Sequence, residues 1–579
     1  MKNIIYIFAI VVIFFSCEGL DQFPQDAIVP ETYFRTENDL RLFTSGMYDI
    51  LPSAEGVYSE SVDDIIQYGL SDAVRGTRLI PTSGGGWSWG QLRRINLYLQ
   101  NSHKCDNEAA RKRYNGVAKF FRAYFYLSMV QRFGDVPWYN EVIETDNTAA
   151  LQKQRDSRVL VVDSMLRDIN YAIDYLPNAR TVNEISKWTA LAFKARFCLF
   201  EGTFRKYHPE FALPGADNLL KEAADAAYEI ITQSGYGIYT STSTPYMSLF
   251  ASNDPIVSEI ILARSFSNAL GIRHNLNYYT LTSSYGQPGL EKTFVNTYLT
   301  MAGTPFTDIP GYNAMEFYDE MQDRDPRLAQ TIRTPGYTRI GETVQLAPNF
   351  GAAVTGYQLI KFVTTTTYDT YNNSINSMPI FRYAEVLLNY AEAKAELGTL
   401  TQEDIDLSIK LLRNRVGMPN MNMANANAAP DTYMAGQYPA VSGANKGIIL
   451  EIRRERGIEL VMENFRWHDV MRWKAGAFMA RTFKGMYFPG VGEYDVDKNG
   501  TIDVVIYTGT APNISNAVLL ELGRDIVLEN GTEGCMVING HINKTFDENK
   551  DYLYPIPIQE RMLNPNLTQN HGWNDGLNY

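Results

Sequence analysis

Cysteine is scarce in this chain. Only four occur in 579 residues, at positions 17, 105, 198 and 535, and no two stand in CxxC spacing. That excludes a disulfide framework and a cysteine-rich zinc site. Histidine is also thin: the six include no HExxH pair, and neither GxSxG nor GxxxxGK[ST] appears, so the usual signatures of zinc proteases, serine hydrolases and phosphate loops are missing. SGGGWSWG at 83–90 is no phosphate loop either, because Lys-Ser/Thr does not follow its glycines. Positive charge is in deficit, with 52 Lys and Arg against 65 Asp and Glu and a formal charge of -13. Nucleic acid is an unsuitable partner for such a balance, since its affinity rests on clustered Lys and Arg. No Gly/Ser or Pro linker divides the chain, which points to one large unit.

The one long apolar run is Ile4–Phe15, in MKNIIYIFAIVVIFFSCEGLDQF. It is too short to cross a bilayer, which takes about 20 apolar residues. With Lys2 before it and Ser16-Cys17 after it, it has the three-part layout of a secretory signal. Cleavage before Cys17 leaves a thiol at the new N terminus that can carry a diacylglyceryl group, and several acyl chains together anchor a protein stably. The expectation is a signal peptide over 1–16 and a lipid on Cys17; ordinary secretion with an incidental cysteine is the other reading.

Aromatic residues are abundant, with 37 Tyr, 28 Phe and 7 Trp. They exceed what a core needs and supply flat amphipathic rings for binding. The dominant pattern downstream is helical. In SRVLVVDSMLRDINYAIDYLP, Val162, Leu166, Ile169, Ile173 and Leu176 recur at spacings of four and three, the mark of an amphipathic helix. Similar stripes run over 117–133 and 188–200, through LLKEAADAAYEIITQ and through IFRYAEVLLNYAEAKAELG. They fall into pairs with small residues on facing stripes: Ala195 with Ala223 and Ala227, and Ala391 and Ala395 ahead of DIDLSIKLLRNRVGMP. The predicted fold is mainly α, a tetratricopeptide-like α/α superhelix with a few short strands or hairpins. Long insertions at about 236–375 and 417–446 are where binding surfaces are expected.

Four ordered blocks are more specific: FFRAYFYLSMVQRFGDVPW at 120–138, FRYAEVLLNYAEAKAELG at 381–398, IRRERGIELVMENFRWHDVMRWK at 452–474 and YLYPIPIQERMLNPNLTQNHGW at 552–573. With RINLYLQN at 94–101 as a weaker fifth, the chain resembles the SusD/RagB outer-membrane lipoproteins. The resemblance implies a single SusD-like domain over 17–579, held on the extracellular side of the outer membrane by its lipid. It implies a non-catalytic protein that binds oligosaccharides or other nutrients and passes them to a SusC-like TonB-dependent transporter. Two alternatives remain, a surface-anchored glycan hydrolase and a helical-repeat scaffold that binds peptides.

Glu455, Glu459 and Glu463 lie four apart, with Arg456, Arg466, Asp469 and Arg472 close in sequence. The expectation is a partly buried ion-pair network that the nearby arginines neutralise and that fixes helix packing, in preference to paired carboxylates doing acid-base chemistry. Pro555 and Pro557 predict an extended path that closes the C-terminal end. A sugar ring needs exposed aromatic faces beside polar groups, and two stretches offer them: one with Asp72, Arg75 and a solvent-facing Trp87, the other with Asn277, Tyr278, Tyr279 and Tyr285. Trp89, opening a helix with Leu92, Ile95 and Leu99, is assigned to the core. No cofactor is expected beyond calcium, for which Asp495, Asp497, Asn499 and Asp503 occupy positions 1, 3, 5 and 9 of a calcium loop. Ile506 stands at position 12 where a glutamate is usual. The competing reading is a bare hairpin turning on Asn499-Gly500.

Overall fold

The computed structural model describes residues 32–577; Cys17 and the apolar run before it lie outside the described residues. The principal helices are α1 (Gly90–Asn101), α2 (Glu108–Phe133), α3 (Arg158–Tyr175), α4 (Lys187–Tyr207) and α5 (Ala216–Gln233), then α6 (Leu276–Leu281), α7 (Tyr383–Leu397), α8 (Lys446–Leu460) and α9 (Arg466–Arg472). Local chemistry sets their ends. Asn107 caps α2 by accepting from the Ala110 N–H, Ser157 does the same for α3 with Leu160, and Ser186 and Thr189 form a capping box on α4. Gly398, at φ 73°, closes α7 in the left-handed conformation that glycine adopts cheaply.

The helices stack in sequence: α2 on α3, α3 on α4, α4 on α5, α5 on α7, and α7 on α8. This is the tetratricopeptide-like helical fold that the periodicity predicted. Small residues set the spacing. A Cβ at Gly202 in α4 would fall 2.9 Å from Leu220 of α5, and Ala195, Ala223 and Ala227 are fully buried between those helices. The second predicted pair is adjusted: α7 packs against α5 and then α8, while DIDLSIKLLRNRVGMP splits into two short helices, Gln402–Leu407 and Ile409–Arg415, with Ser408 between them. Strands are short and peripheral: β1 (Ile65–Ile66), β2 (Ile260–Arg264), β3 (Gly289–Leu290), β4 (Met378–Arg382), β5 (Phe483–Phe488), β6 (Gly492–Tyr494), β7 (Val504–Tyr507), β8 (Val518–Glu521) and β9 (Gly534–Ile538). Antiparallel pairs β1–β3, β2–β4 and β5–β9 and the ladder β6–β7–β8, whose β7–β8 pairing is parallel, stand apart from one another.

One apolar core fills the helical stack. A second, built around Tyr246, Leu276, Leu290, Phe294, Tyr357 and Met486, gathers β1, β3 and the 236–375 insertion over α8. Between the two cores runs a buried ionic layer. Glu459 takes Arg415 at 2.6 Å, Arg382 at 2.8 Å and Arg327 at 3.2 Å; Glu455 takes Arg327 at 2.5 Å and Arg413 at 2.9 Å; Glu463 takes Arg382 at 2.6 Å and Lys361 at 2.7 Å. The network exists but is deeper than the partial burial expected, with Glu455 and Glu459 fully buried, and its cations are different from those expected. Arg456 and Arg472 serve Asp469 at 2.7 and 2.9 Å, and Arg466 serves Asp63 at 2.6 Å. A helix places residues four apart side by side, so α8 presents Glu455 and Glu459 on one face, Glu463 joins them from just past the end of α8, and cations from other segments meet all three. At the C-terminal end, extended Pro557 leads into a short helix whose first N–H groups, on Ile558 and Gln559, donate to the Pro81 and Thr82 carbonyls.

Candidate functional site: a tyrosine surface beside a polar cleft

The two-residue ladder β1–β3 pairs Ile65 with Leu290 and Ile66 with Gly289. Just beyond it the Tyr68 N–H donates to the Gly286 carbonyl at 2.8 Å. This clip brings the N-terminal segment carrying Tyr58 and Tyr68 against the α6 region carrying Tyr278, Tyr279 and Tyr285. A third segment joins through Asn277. Its Oδ1 accepts from the Thr364 N–H at 2.6 Å and its Nδ2 donates to Asp369 at 2.5 Å, which holds the loop bearing Tyr371 beside α6.

The result is a contiguous tyrosine surface. Ring centroids lie 4.9 Å apart for Tyr58 and Tyr279, 5.8 Å for Tyr279 and Tyr285, 6.5 Å for Tyr278 and Tyr285, and 5.7 Å for Tyr278 and Tyr371. Tyr68, Tyr371 and Tyr285 are 76, 65 and 46 % exposed, while Tyr279 is buried and supports the others from beneath. Exposed large aromatics grouped in this way are unusual on a protein surface and mark a binding face. Beside them opens a cleft of ≈ 620 Å³ whose wall includes Gly56, Ser59, Gln67, Gly69, Arg132 and Trp467. Glu60 also lines it; burial, then the nearby Asp64, pushes its carboxyl up to about 8, and its Oε2 accepts from the Asn464 N–H at 3.0 Å. Hydroxyl, amide and aromatic groups thus converge on one depression.

The residues expected from sequence distribute unevenly over this site. Tyr278, Tyr279 and Tyr285 belong to it. Asn277 lies beneath it, fully buried, with a positioning role and no exposed face. Asp72 and Arg75 occupy a four-residue helix near the cleft's edge, where Ser71 and Ala73 line the wall; Asp72 accepts from the Thr77 hydroxyl at 2.9 Å and lies 4.0 Å from Arg75. The solvent-facing Trp87 is corrected: it is 6 % exposed, with centroids 5.0 Å from Phe133 and 5.3 Å from Trp89. Three glycines let the chain fold back, and the apolar indole goes to the core that helix packing offers it. Trp87 does border a separate apolar cleft of ≈ 560 Å³ with Trp89, Tyr139 and Leu563. Trp89 is half-buried at the start of α1, packed on Phe125 and Tyr139. Tyr58, Tyr68 and Tyr371 were missed. The signal available for them was tyrosine within polar or Gly-containing loops, as in QYG and DTYNN.

The acidic loop is a separate feature. Strands β6 and β7 pair Tyr494 with Val504, so the connection covers 495–503 and is not a two-residue turn on Asn499-Gly500. Within it the carboxylate oxygens of Asp495, Asp497 and Asp503 approach one another within 4.8 Å. Backbone N–H groups face them: Asn499 and Gly500 donate to Asp495 at 3.0 and 2.7 Å, and Val496 donates to Asp503 at 2.9 Å. Burial first, then the neighbouring acids, raises Asp503 to about 6. Asn499 is exposed, its Oδ1 turned to the Thr501 N–H, and Ile506 is fully buried in β7, so position 12 is core.

The architecture is thus a helical-repeat scaffold with a group of tyrosines beside a polar cleft. The chain belongs to the SusD family, whose sequence profile matches residues 259–573, more than half of its length. A second profile, described as starch-binding associating with outer membrane, matches 90–199. SusD-like protein P2 of Formosa agariphila is 22 % identical and covered over 96 % of both chains. Among solved structures, a SusD-like carbohydrate-binding protein of Bacteroides fragilis superposes with TM-score 0.70 at 20 % identity, covering 93 % of this chain and 100 % of that one. A laminarin-binding SusD-like protein superposes with TM-score 0.55 at 19 % identity over 93 % of this chain and 100 % of its own. No described helix is long and apolar enough to cross a membrane.

Proposed function

We propose that the protein is a non-catalytic, lipid-anchored binding protein of the outer membrane. It captures oligosaccharides at the cell surface and hands them to a SusC-like TonB-dependent transporter. The observation that carries the binding reading is the tyrosine surface, with Tyr285, Tyr371 and Tyr68 as the exposed rings. A sugar's C–H face stacks on such rings while its hydroxyls reach polar groups alongside, here Gln67 and Ser59 on the cleft wall. Binding is favoured over hydrolysis because glycosidases work with two carboxyl groups across the bond they cut, and Glu60 is the single carboxyl on this wall among the described residues. Glu455 and Glu459 of α8 and Glu463 just beyond it are each engaged by buried cations. Family membership and the two profile descriptions support the cell-surface part of the reading, and the need for a route across the membrane supports the transporter.

The deciding experiment is a screen of the purified mature chain against neutral and acidic oligosaccharides and a peptide pool, with reducing ends assayed in parallel. Glycan bound and left uncut is the expected result. Release of reducing ends overturns the non-catalytic reading, and peptide binding without glycan affinity overturns the ligand class. Mild-detergent extraction from native membranes is expected to co-purify a β-barrel transporter in near-equal amount; recovery of the chain alone in several detergents removes the partner.

A further inference from the structure

The glycines of SGGGWSWG hold an arginine in place. Gly84, Gly85 and Gly86 have φ of 71°, 56° and 88°, a run of left-handed residues that side chains resist. Arg132, in the last turn of α2, lies against them. Its Nε donates to the Gly85 carbonyl at 2.7 Å, and a Cβ on Gly86 would sit 2.7 Å from that nitrogen. Its guanidinium carbon lies 3.8 Å from the Tyr554 ring centroid, a close cation–π arrangement. The side chain is therefore clamped between a glycine backbone and an aromatic face, on the wall of the polar cleft.

Charge around this clamp does not balance. Arg78 stacks on the same Tyr554 at 4.4 Å and is paired with Asp551 at 2.9 Å. No carboxylate lies within ion-pairing distance of Arg132 among the described residues, and burial, opposed by Tyr554 and reinforced by Arg78, leaves its pKa lowered. Burial raises the Glu60 carboxyl on the cleft wall to about 8 and lowers His468 there to about 4, so burial works against the charged form of each. Most buried arginines of this chain have carboxylates, as with Arg327, Arg382, Arg415, Arg466 and Arg472; Arg324 and Arg333, which have none among the described residues, donate to backbone carbonyls in closed surroundings. Arg132 is half-buried; a guanidinium drawn partly out of water with no carboxylate to pair it is left without full compensation, and here it faces the polar cleft.

We propose that Arg132 is the anion-recognition residue of this cleft, and that the protein selects glycans bearing acidic substituents, either a uronate carboxylate or a sulfate ester. The sugar rings rest on the tyrosines, and the oxyanion meets the guanidinium, whose planar fork suits two-oxygen acceptors. The inference rests on the glycan-capture reading above. The test is calorimetry on the full mature chain with oligogalacturonate and its carboxyl-reduced form, κ-carrageenan oligosaccharide and its desulfated form, and neutral laminarin oligosaccharide. For at least one acidic probe, removing the charge from the sugar is expected to weaken wild-type binding about tenfold or more, and the pair that loses identifies carboxylate or sulfate. Arg132→Gln should lose the same factor for the acidic probe, a larger loss than it shows for laminarin, and Arg132→Lys should retain part of the acidic-probe affinity. If the wild type binds each charged probe no better than its neutral form, the inference falls without reference to any variant. It also falls if a folded Arg132→Gln keeps full affinity for the acidic probe. Binding of neutral glycans alone defeats this inference and leaves glycan capture standing; binding of no glycan defeats both.

Discussion

Trp87→Ala and Tyr285→Ala should separate stability from recognition. Trp87 is 6 % exposed, with rings 5.0 and 5.3 Å away, and emptying such a site costs about 3 to 5 kcal/mol. With an unfolding entropy of about 2.1 cal/mol/K per residue, 579 residues give about 1.2 kcal/mol/K, so the melting temperature should fall by about 2.5 to 4 °C. Tyr285 is 46 % exposed; its removal loosens contacts to Tyr278 and Tyr279 and should cost about 1 kcal/mol or less, a shift of about 1 °C. In binding the order reverses. A ring contact contributes about 0.5 to 1.5 kcal/mol beyond buried area, so loss of the Tyr285 platform should weaken a bound oligosaccharide about 2- to 12-fold, and Trp87→Ala should leave affinity near wild type below its melt. Differential scanning calorimetry and titration calorimetry on the two variants check both halves. An unshifted melt for Trp87→Ala, or full affinity in a Tyr285→Ala/Tyr371→Ala double variant, refutes the assignment.

Glu459→Gln should destabilise the protein by about 3 to 5 kcal/mol, because Arg415, Arg382 and Arg327 lose their shared buried carboxylate; a melt within 1 °C of wild type contradicts this. Burial opposes the charge on Glu459, but those arginines outweigh it and hold its pKa far below the ordinary 4.5. Its contribution is therefore present above about 4.5 and is lost as pH falls through the depressed value, so acidification from pH 5 to 2 should cost the wild type more stability than the variant. Asp503 has the opposite sign: raised from 3.8 to about 6, it favours folding below about 4 and loses that contribution as pH rises through 6. Asp503→Asn should flatten the wild type's fall in melting temperature between pH 5 and 7.5. At pH 7.5, a chelator-reversible rise with millimolar calcium would mark the loop as a cation site, and no rise would mark it as a bare connection. Cys17→Ala should release the protein from membranes; a variant that still sediments with them, alongside a wild type that takes up no labelled palmitate, rules out the lipid.

The helical stack was legible because amphipathic periodicity is a local property. Val162 and Ile169 point into the core of α3 as their spacing requires, and Ala223 and Ala227 meet α4 as small residues on a packing stripe should. The partners of the α8 glutamates were not legible in this way. Nothing near 455–463 specifies Arg327 or Arg382, since the first contact arises from how the insertion folds over α8 and the second from where β4 delivers its last residue. Sequence proximity suggested Arg456 and Arg472, and those arginines instead satisfy Asp469.

The binding surface shows the same division. Tyr278 and Tyr285 could be chosen because an aromatic-rich polar loop has few other uses, but Tyr58, Tyr68 and Tyr371 come from two other segments and join only through the β1–β3 ladder and the side chain of Asn277. Asn277 resembled a ligand residue for the reason that makes it structural. An amide can accept and donate at once, and here it accepts from Thr364 and donates to Asp369 across the junction. Cutting that staple should therefore act on recognition indirectly. Asn277→Ala leaves the buried Thr364 N–H unsatisfied, at about 1 to 3 kcal/mol, and loosens the loop that carries Tyr371, although Asp369 keeps its ion pair with Arg339 at 2.7 Å. Glycan affinity should then fall together with the melting temperature, whereas Tyr371→Ala should lower affinity alone. Normal melting with reduced affinity in Asn277→Ala would instead place this amide in direct contact with the sugar.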